Sequence, residues 1–147
     1  MKNIQDTIKD FLIHNKVATV CFVDEDNKPY CINCFYVFDD EKKILIFKSS
    51  TGTIHHNLIK PIACVSGTIL PETLDVLKLK GIQFIGKIID KKEVENLKLN
   101  SKYLKKYPMS LAIIGYVWAV RLDYLKLTDN TLGFGNKIIW KADEDQL

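Results

Sequence analysis

With 147 residues, of which 47% are hydrophobic and 27% charged, the chain can bury one substantial core and has the balance of a folded domain. A formal charge of +3, with Arg121 the one arginine among 21 basic residues, argues against nucleic acid, whose readers depend on arginine's planar fork. No apolar run has the length of a membrane span, and the first six residues lack the apolar core of a signal peptide. A single cytoplasmic domain covering 1–147 is therefore expected, without a nucleic-acid or membrane partner.

The first element is a helix, because Ile4, Ile8, Phe11 and Leu12 form one apolar stripe. His14 ends it, where a cation is mildly favoured. Strands follow at 17–23, 30–38 and 43–48, joined by the polar turns 24–29 and 39–42, and read as an antiparallel meander. The second strand is apolar on both sides, with Tyr30, Ile32, Cys34, Tyr36 and Phe38 on one and Cys31, Phe35 and Val37 on the other. That pattern predicts a strand covered on both faces, either central or in a barrel wall with another body over it. Asn33 interrupts the run and needs hydrogen-bond partners wherever it is buried.

The four cysteines, Cys21, Cys31, Cys34 and Cys64, suggest no disulfide framework in a cytoplasmic protein of this size. Cys31 and Cys34 spell a CxxC, but three residues apart on a strand they point to opposite faces. That opposes a shared metal or a mutual disulfide, and the cysteines are expected to be small buried hydrophobes.

The run Lys48-Ser49-Ser50-Thr51-Gly52-Thr53-Ile54-His55-His56-Asn57 carries the most chemistry. It follows the strand Ile44-Leu45-Ile46-Phe47 and enters a short helix that Pro61 must end. Free amides at a helix start favour an anion, and the hydroxyls and Lys48 add donors. Two readings stay open: a seat for the phosphate of a cofactor, or an ordinary N-cap. His55 and His56, adjacent on a helix, project about 100° apart, so only one of them would touch such a phosphate.

Further strands are expected at 62–70, 79–90, where Gly81 and Gly86 mark bends or close backbone approach, and 116–127. A helix at 92–106, with Val94, Leu97 and Leu104 inward, is stopped by Pro108; a helical turn at 109–114 follows. Lys98, Lys102, Lys105 and Lys106 read as its solvated face. Gly133-Phe134-Gly135 lacks the third glycine and the context of a dinucleotide fingerprint and reads as a turn. Six strands with few, segregated helices predict an α+β fold, a small antiparallel barrel.

Three stretches carry a resemblance: Cys31-Ile32-Asn33-Cys34-Phe35-Tyr36-Val37-Phe38-Asp39, Gly81-Ile82-Gln83-Phe84-Ile85-Gly86, and the tail from Arg121-Leu122-Asp123 through Thr128-Asp129-Asn130-Thr131-Leu132-Gly133-Phe134-Gly135. Over nearly its whole length the chain resembles the FMN-binding split-barrel proteins related to pyridoxamine 5′-phosphate oxidase, and within them a small bacterial branch. The resemblance implies a six-stranded antiparallel split β-barrel with a few peripheral helices. It also implies a homodimer with cofactor sites at the subunit interface. By position, the flavin ring would meet Asn33, Cys34 and Phe35. The phosphate would meet Lys48, Ser49, Ser50, Thr51 and Thr53, with His55 or His56 nearby. FMN is the cofactor implied; a deazaflavin or haem is the alternative.

The chain departs from the oxidase itself. Its second strand has no arginine for the flavin phosphate, Thr53 and His55 stand where many relatives keep a lysine, and the Ile138-Ile139-Trp140 end lacks the paired-arginine substrate segment. A genuine pyridoxamine 5′-phosphate oxidase is therefore not expected. Arg121 would stabilise a reduced flavin or pair with Asp123 or Asp129. Gln83 would meet a flavin carbonyl or neighbouring backbone. Trp118 and Trp140 would cap the ring or fill cores. The functional readings are a flavin-dependent oxidoreductase on a small molecule, a binder of flavin, haem or another phosphate-bearing ligand without turnover, and a cofactor-free dimer.

Overall fold

A computed structural model describes residues 3–143. In chain order its elements are α1 Asp6–His14, β1 Val17–Val23, β2 Pro29–Asp39, β3 Ile44–Ser50, α2 Ile54–Leu58, β4 Cys64–Ile69, β5 Lys80–Ile88, α3 Lys91–Asn96, α4 Leu99–Lys106, β6 Gly115–Asp129 and β7 Lys137–Lys141. Short 3-10 turns cover Val76–Lys78, Pro108–Ala112 and Asn130–Leu132.

The sheet runs β3-β2-β1-β4-β5-β6-β7, and β3 also pairs with β6, which closes the first six strands into an antiparallel barrel. The length of β6 follows from its three partners. Its start pairs with β3, its second half with β5, and Tyr124–Thr128 with β7. The register shifts between Ile85 and Gly86, whose partners Tyr124 and Leu122 leave Asp123 as an extra residue bulged on β6. Gly86 has to be glycine, since a Cβ there would lie 2.2 Å from the Arg121 carbonyl oxygen.

Alternate residues fill the barrel. Val20 and Phe22 of β1, Tyr36 of β2, Phe47 of β3, Ile82 and Phe84 of β5, and Trp118 and Leu122 of β6 are all buried, and α1 adds Ile8, Phe11 and Leu12. The Tyr36 hydroxyl donates to the Leu12 carbonyl at 2.7 Å, tying α1 to β2. A second, smaller core lies outside the barrel, where Val94, Leu99 and Tyr103 cover Ile44, Ile46, Val117 and Ala119.

Several elements differ from the sequence reading. The segments buried on both faces are β3 and the start of β6, which have the barrel interior on one side and α3–α4 on the other. On β2 the outward residues Cys31, Asn33 and Phe35 are exposed, because no helix among the described residues lies over that face as α3 and α4 lie over β3. The expected single helix at 92–106 is two, broken by left-handed Lys98 at φ 53°; its buried residues are Val94, Leu99 and Tyr103, whereas Leu97 and Leu104 are half-buried. A seventh strand, β7, occupies the supposed tail and buries Trp140.

The cysteines are also not as expected. Cys21 and Cys31 are partners in the β1–β2 register and form a disulfide, with 4.0 Å between their Cα atoms. Directly opposed side chains in such a close pair share one face, which is what Cys31 and Cys34 cannot do. Cys34 is half-buried and Cys64 is an exposed free thiol.

Candidate functional site

The barrel parts along one seam. The β2–β3 ladder runs from Asp39↔Ile44 to Tyr36↔Phe47 and stops. Beyond it, residues 29–35 of β2 pair only with β1, and residues 48–50 of β3 only with β6. Where the ladder ends, α4 and the residues after it bond two carbonyls of β2. The Tyr107 hydroxyl donates to the Tyr36 carbonyl at 2.7 Å, the Lys106 ammonium reaches the same oxygen at 3.4 Å, and the Tyr103 hydroxyl donates to the Phe35 carbonyl at 3.3 Å. Burial, ahead of Cys34 and Tyr107, pushes the Tyr103 phenol up to about 12, so it stays a proton donor at neutral pH.

Beside the seam lies a cavity of about 350 Å³ lined by Phe35, Tyr103, Tyr107, Met109, Ser110 and Ile113 among others. Its size suits a small ligand. The Phe35 and Tyr107 rings stand 5.6 Å apart, and Phe35 and Met109 are 55% and 88% exposed, an apolar rim open to whatever covers it.

The hydroxyl-rich turn is tied to this cavity through its wall. Lys48 donates to the Ser110 carbonyl at 2.7 Å and the Thr51 amide to the Ile114 carbonyl at 3.3 Å. Ser49 turns inward and is buried. Thr53 occupies the N-cap position of α2 but makes no side-chain cap; its hydroxyl donates to the Ser50 carbonyl at 2.8 Å and lies 3.2 Å from His55 Nε2. Burial, and then the neighbouring His56, lowers the His55 pKa from its ordinary value. The His56 ring stacks on Tyr116 at 5.5 Å and meets the edge of Trp118 at 6.3 Å. Among the described residues, His56 Nδ1 and Trp118 Nε1 are buried without a hydrogen-bond partner. Lys91 holds its ammonium 4.6 Å from the Tyr116 ring centre.

Asn33, Phe35, Lys48, Ser49, Ser50, Thr51, Thr53, His55 and His56 are thus gathered along the seam and the turn it leads to. Cys34 faces the core, and burial pushes its thiol up to about 12. Asn33 accepts from the Thr19 hydroxyl at 2.7 Å. It begins an outward row across the register, Asn33↔Thr19↔Thr68↔Gln83, which sets Gln83 three strands, about 14 Å, from it. Arg121 pairs with Ile44, six residues or about 20 Å along β3 from Ser50. Its ion pair is with Glu93, not Asp123 or Asp129; Asp129 instead meets Lys80 at 2.9 Å.

Sequence reasoning missed Tyr103, Tyr107 and Ser110. The signal available was the four-residue spacing of the two tyrosines on the lysine-rich helix. That lysine face is not simply solvated: Lys102 pairs with Asp39, and Lys106 lies 5.5 Å from the Tyr107 ring centre. Trp118 and Trp140 are core residues.

A closed six-strand barrel that parts between two neighbouring strands is the split barrel of pyridoxamine 5′-phosphate oxidase-like proteins. A haem binding protein from Mycobacterium smegmatis has this fold at a TM-score of 0.73 with 14% identity, over 96% of this chain and 60% of that one. A pyridoxamine 5′-phosphate oxidase-related, FMN binding protein from Nostoc punctiforme matches at 0.70 with 10% identity, over 100% and 94%. HutZ, a haem storage protein from Vibrio cholerae, matches at 0.60 with 15% identity, over 82% and 89%. No family model matches the chain. By sequence the chain belongs to the UPF0306 family. It is 34% identical over 139 residues to the UPF0306 protein of Cronobacter sakazakii (95% of this chain, 96% of that protein) and 35% over 137 to YhbP of Shigella sonnei (93% and 92%).

Proposed function

We propose that the chain binds FMN along the seam, as a homodimer, and serves as an oxidoreductase for a small molecule other than a pyridoxamine phosphate. The observation that carries this reading is the linkage of turn and cavity through one wall, Lys48 to Ser110 and Thr51 to Ile114. A ligand with a planar head and an anionic tail fits that arrangement. The ring lies against Asn33 and Phe35. Lys48, Ser50, Thr51 and Thr53 hold the phosphate, Lys48 using donors that Ser110 leaves free. His55, whose Nε2 lies 3.2 Å from the Thr53 hydroxyl, stands at the end of the turn. When bound, the flavin supplies hydride transfer; the protein orients it and excludes water.

Dimerisation follows from what one subunit leaves open. Phe35, Met109 and Ile113 are 55%, 88% and 49% exposed around the cavity, and the neighbouring row of Asn33, Thr19, Thr68 and Gln83 carries no charge. Interfaces are depleted in charge at their centre and enriched in aromatics and Met. A second copy seated there covers the rim and brings its own Gln83 toward the ring. No helix among the described residues is long and apolar enough to cross a membrane.

Haem is the second reading, supported by the haem-binding neighbours and by two of the chain's three histidines lying on this turn. Separate titrations with FMN and haemin decide between them. Quenching of flavin fluorescence at micromolar protein supports the first; a Soret shift with haemin and no flavin quenching supports the second.

A further inference from the structure

The Cys21–Cys31 disulfide sits where the sheet is thinnest. Residues 29–35 of β2 have β1 as their one strand neighbour, because the ladder to β3 ends at Tyr36↔Phe47. Seven register pairs, Val17↔Phe35 to Val23↔Pro29, hold that length, and one of them is covalent. The same length carries Asn33, two residues from Cys31, and Phe35 of the cavity rim. Cys31 is exposed, Cys21 is half-buried, and both point away from the core. The pair lies about 13 Å along β2 from Phe35 and about 7 Å from Asn33, on the side toward the 24–28 turn.

We propose that Cys21–Cys31 is a reversible thiol–disulfide exchange site that sets the order of the parted half of β2. Resting on the function proposed above, it also sets the affinity of the flavin site. A small thiol, as its thiolate, attacks the exposed Cys31 sulfur; the S–S bond breaks and Cys21 leaves as a thiolate that takes up a proton. A second small thiol attacks the outer sulfur of the mixed disulfide and releases the Cys31 thiol. In sum, one protein disulfide and two small thiols give two cysteine thiols and one small disulfide. A disulfide in a reducing compartment is characteristically of this transient or sensing kind. The remaining cysteines do not compete. Cys34 points to the opposite face into the core, and Cys64 stands exposed on β4, where its register partner is Lys87.

The test uses the intact protein under native conditions, oxidised or treated with a small dithiol. Thiols are counted by maleimide labelling and mass spectrometry, and amide hydrogen exchange is followed in residues 29–35. The oxidised protein should label at Cys64 alone and the reduced protein at Cys21, Cys31 and Cys64. Reduction should speed exchange in 29–35 about tenfold or more while residues 80–88 of β5 hold their rates. The double variant C21S/C31S should exchange fast in that stretch with or without dithiol, its unchanged β5 rates reporting an intact barrel. FMN titration of the same samples should give weaker binding after reduction in the wild type and no response to dithiol in the double variant. A disulfide that resists native reduction, or exchange rates equal in both states, overturns the proposal. Changed exchange with equal FMN affinity overturns the control of the site. Should neither state bind FMN, the function reading fails and the labelling and exchange data still judge the exchange site.

Discussion

Replacing Tyr107 with phenylalanine removes the hydroxyl that ties the end of α4 to β2. That hydroxyl lies 2.7 Å from the Tyr36 carbonyl oxygen, just where the β2–β3 ladder ends. Leaving a buried carbonyl without its donor costs about 1–3 kcal/mol. Lys106, at 3.4 Å from the same oxygen, keeps a longer contact after the change, which sets the expected loss at the low end, about 1 kcal/mol. In a chain of this length that lowers Tm by about 3–4 °C. Tyr103→Phe removes a longer bond, 3.3 Å to the Phe35 carbonyl, and should cost about half as much. The two rings are 5.1 Å apart, so the double variant should depart from the sum of the single ones. Urea denaturation of the four proteins with a shared m-value measures this. If Tyr107→Phe costs no more than Tyr103→Phe, the seam is not held by these hydroxyls.

Gly86→Ala places a Cβ 2.2 Å from the Arg121 carbonyl and should cost more than about 3 kcal/mol in urea denaturation or abolish folding, whereas Gly52→Ala, with φ 79° and open space, should cost about 1 kcal/mol. Burial alone would raise the Asp129 carboxyl, but hydrogen bonds from Lys80 and Thr131 outweigh it and hold the group below its ordinary value. Its contribution is then present above the unfolded pKa near 4 and lost as pH falls below that, so Asp129→Asn should flatten the acid side of a urea-midpoint profile between about pH 5 and 2. Lys48→Gln should raise the FMN Kd about tenfold or more, since a charge-assisted bond to phosphate contributes about 1.5–3 kcal/mol, while circular dichroism reports an unchanged fold.

The meander was legible because apolar alternation in 17–23 and 30–38 is broken by Asp24-Glu25-Asp26-Asn27-Lys28-Pro29, and the structure turns there, with the Asp24 amide bonded to the Lys28 carbonyl at 3.0 Å. The same turn also fixes the register of the cysteines. Centring the hairpin on residue 26 sets Cys21 opposite Cys31, so the disulfide is readable from register, whereas the CxxC spacing is not what pairs them. Exposure of β2 was not readable, because an apolar strand looks the same whether or not a helix of its own chain covers it. The roles of Tyr103 and Tyr107 depend on the left-handed break at Lys98, which resets the inward face of α4 away from the stripe that Val94, Leu97 and Leu104 predict. Nor could sequence pair Arg121 with Glu93, 28 positions away, because that contact needs α3 folded over the barrel wall. The turn at 48–57 lies beside the seam, with Lys48 bonded to the Ser110 carbonyl and Thr53 to the Ser50 carbonyl; whether it seats a phosphate is what the FMN titration reads.

The central claim concerns that seam as a flavin seat completed by a second copy. Equilibrium titration of FMN into the purified oxidised protein, with its mass followed by light scattering, tests it most directly. The account predicts a dimer that takes up one FMN per subunit at micromolar concentration or below, with loss of flavin fluorescence. A monomer, or a dimer that leaves flavin fluorescence untouched at those concentrations, contradicts it.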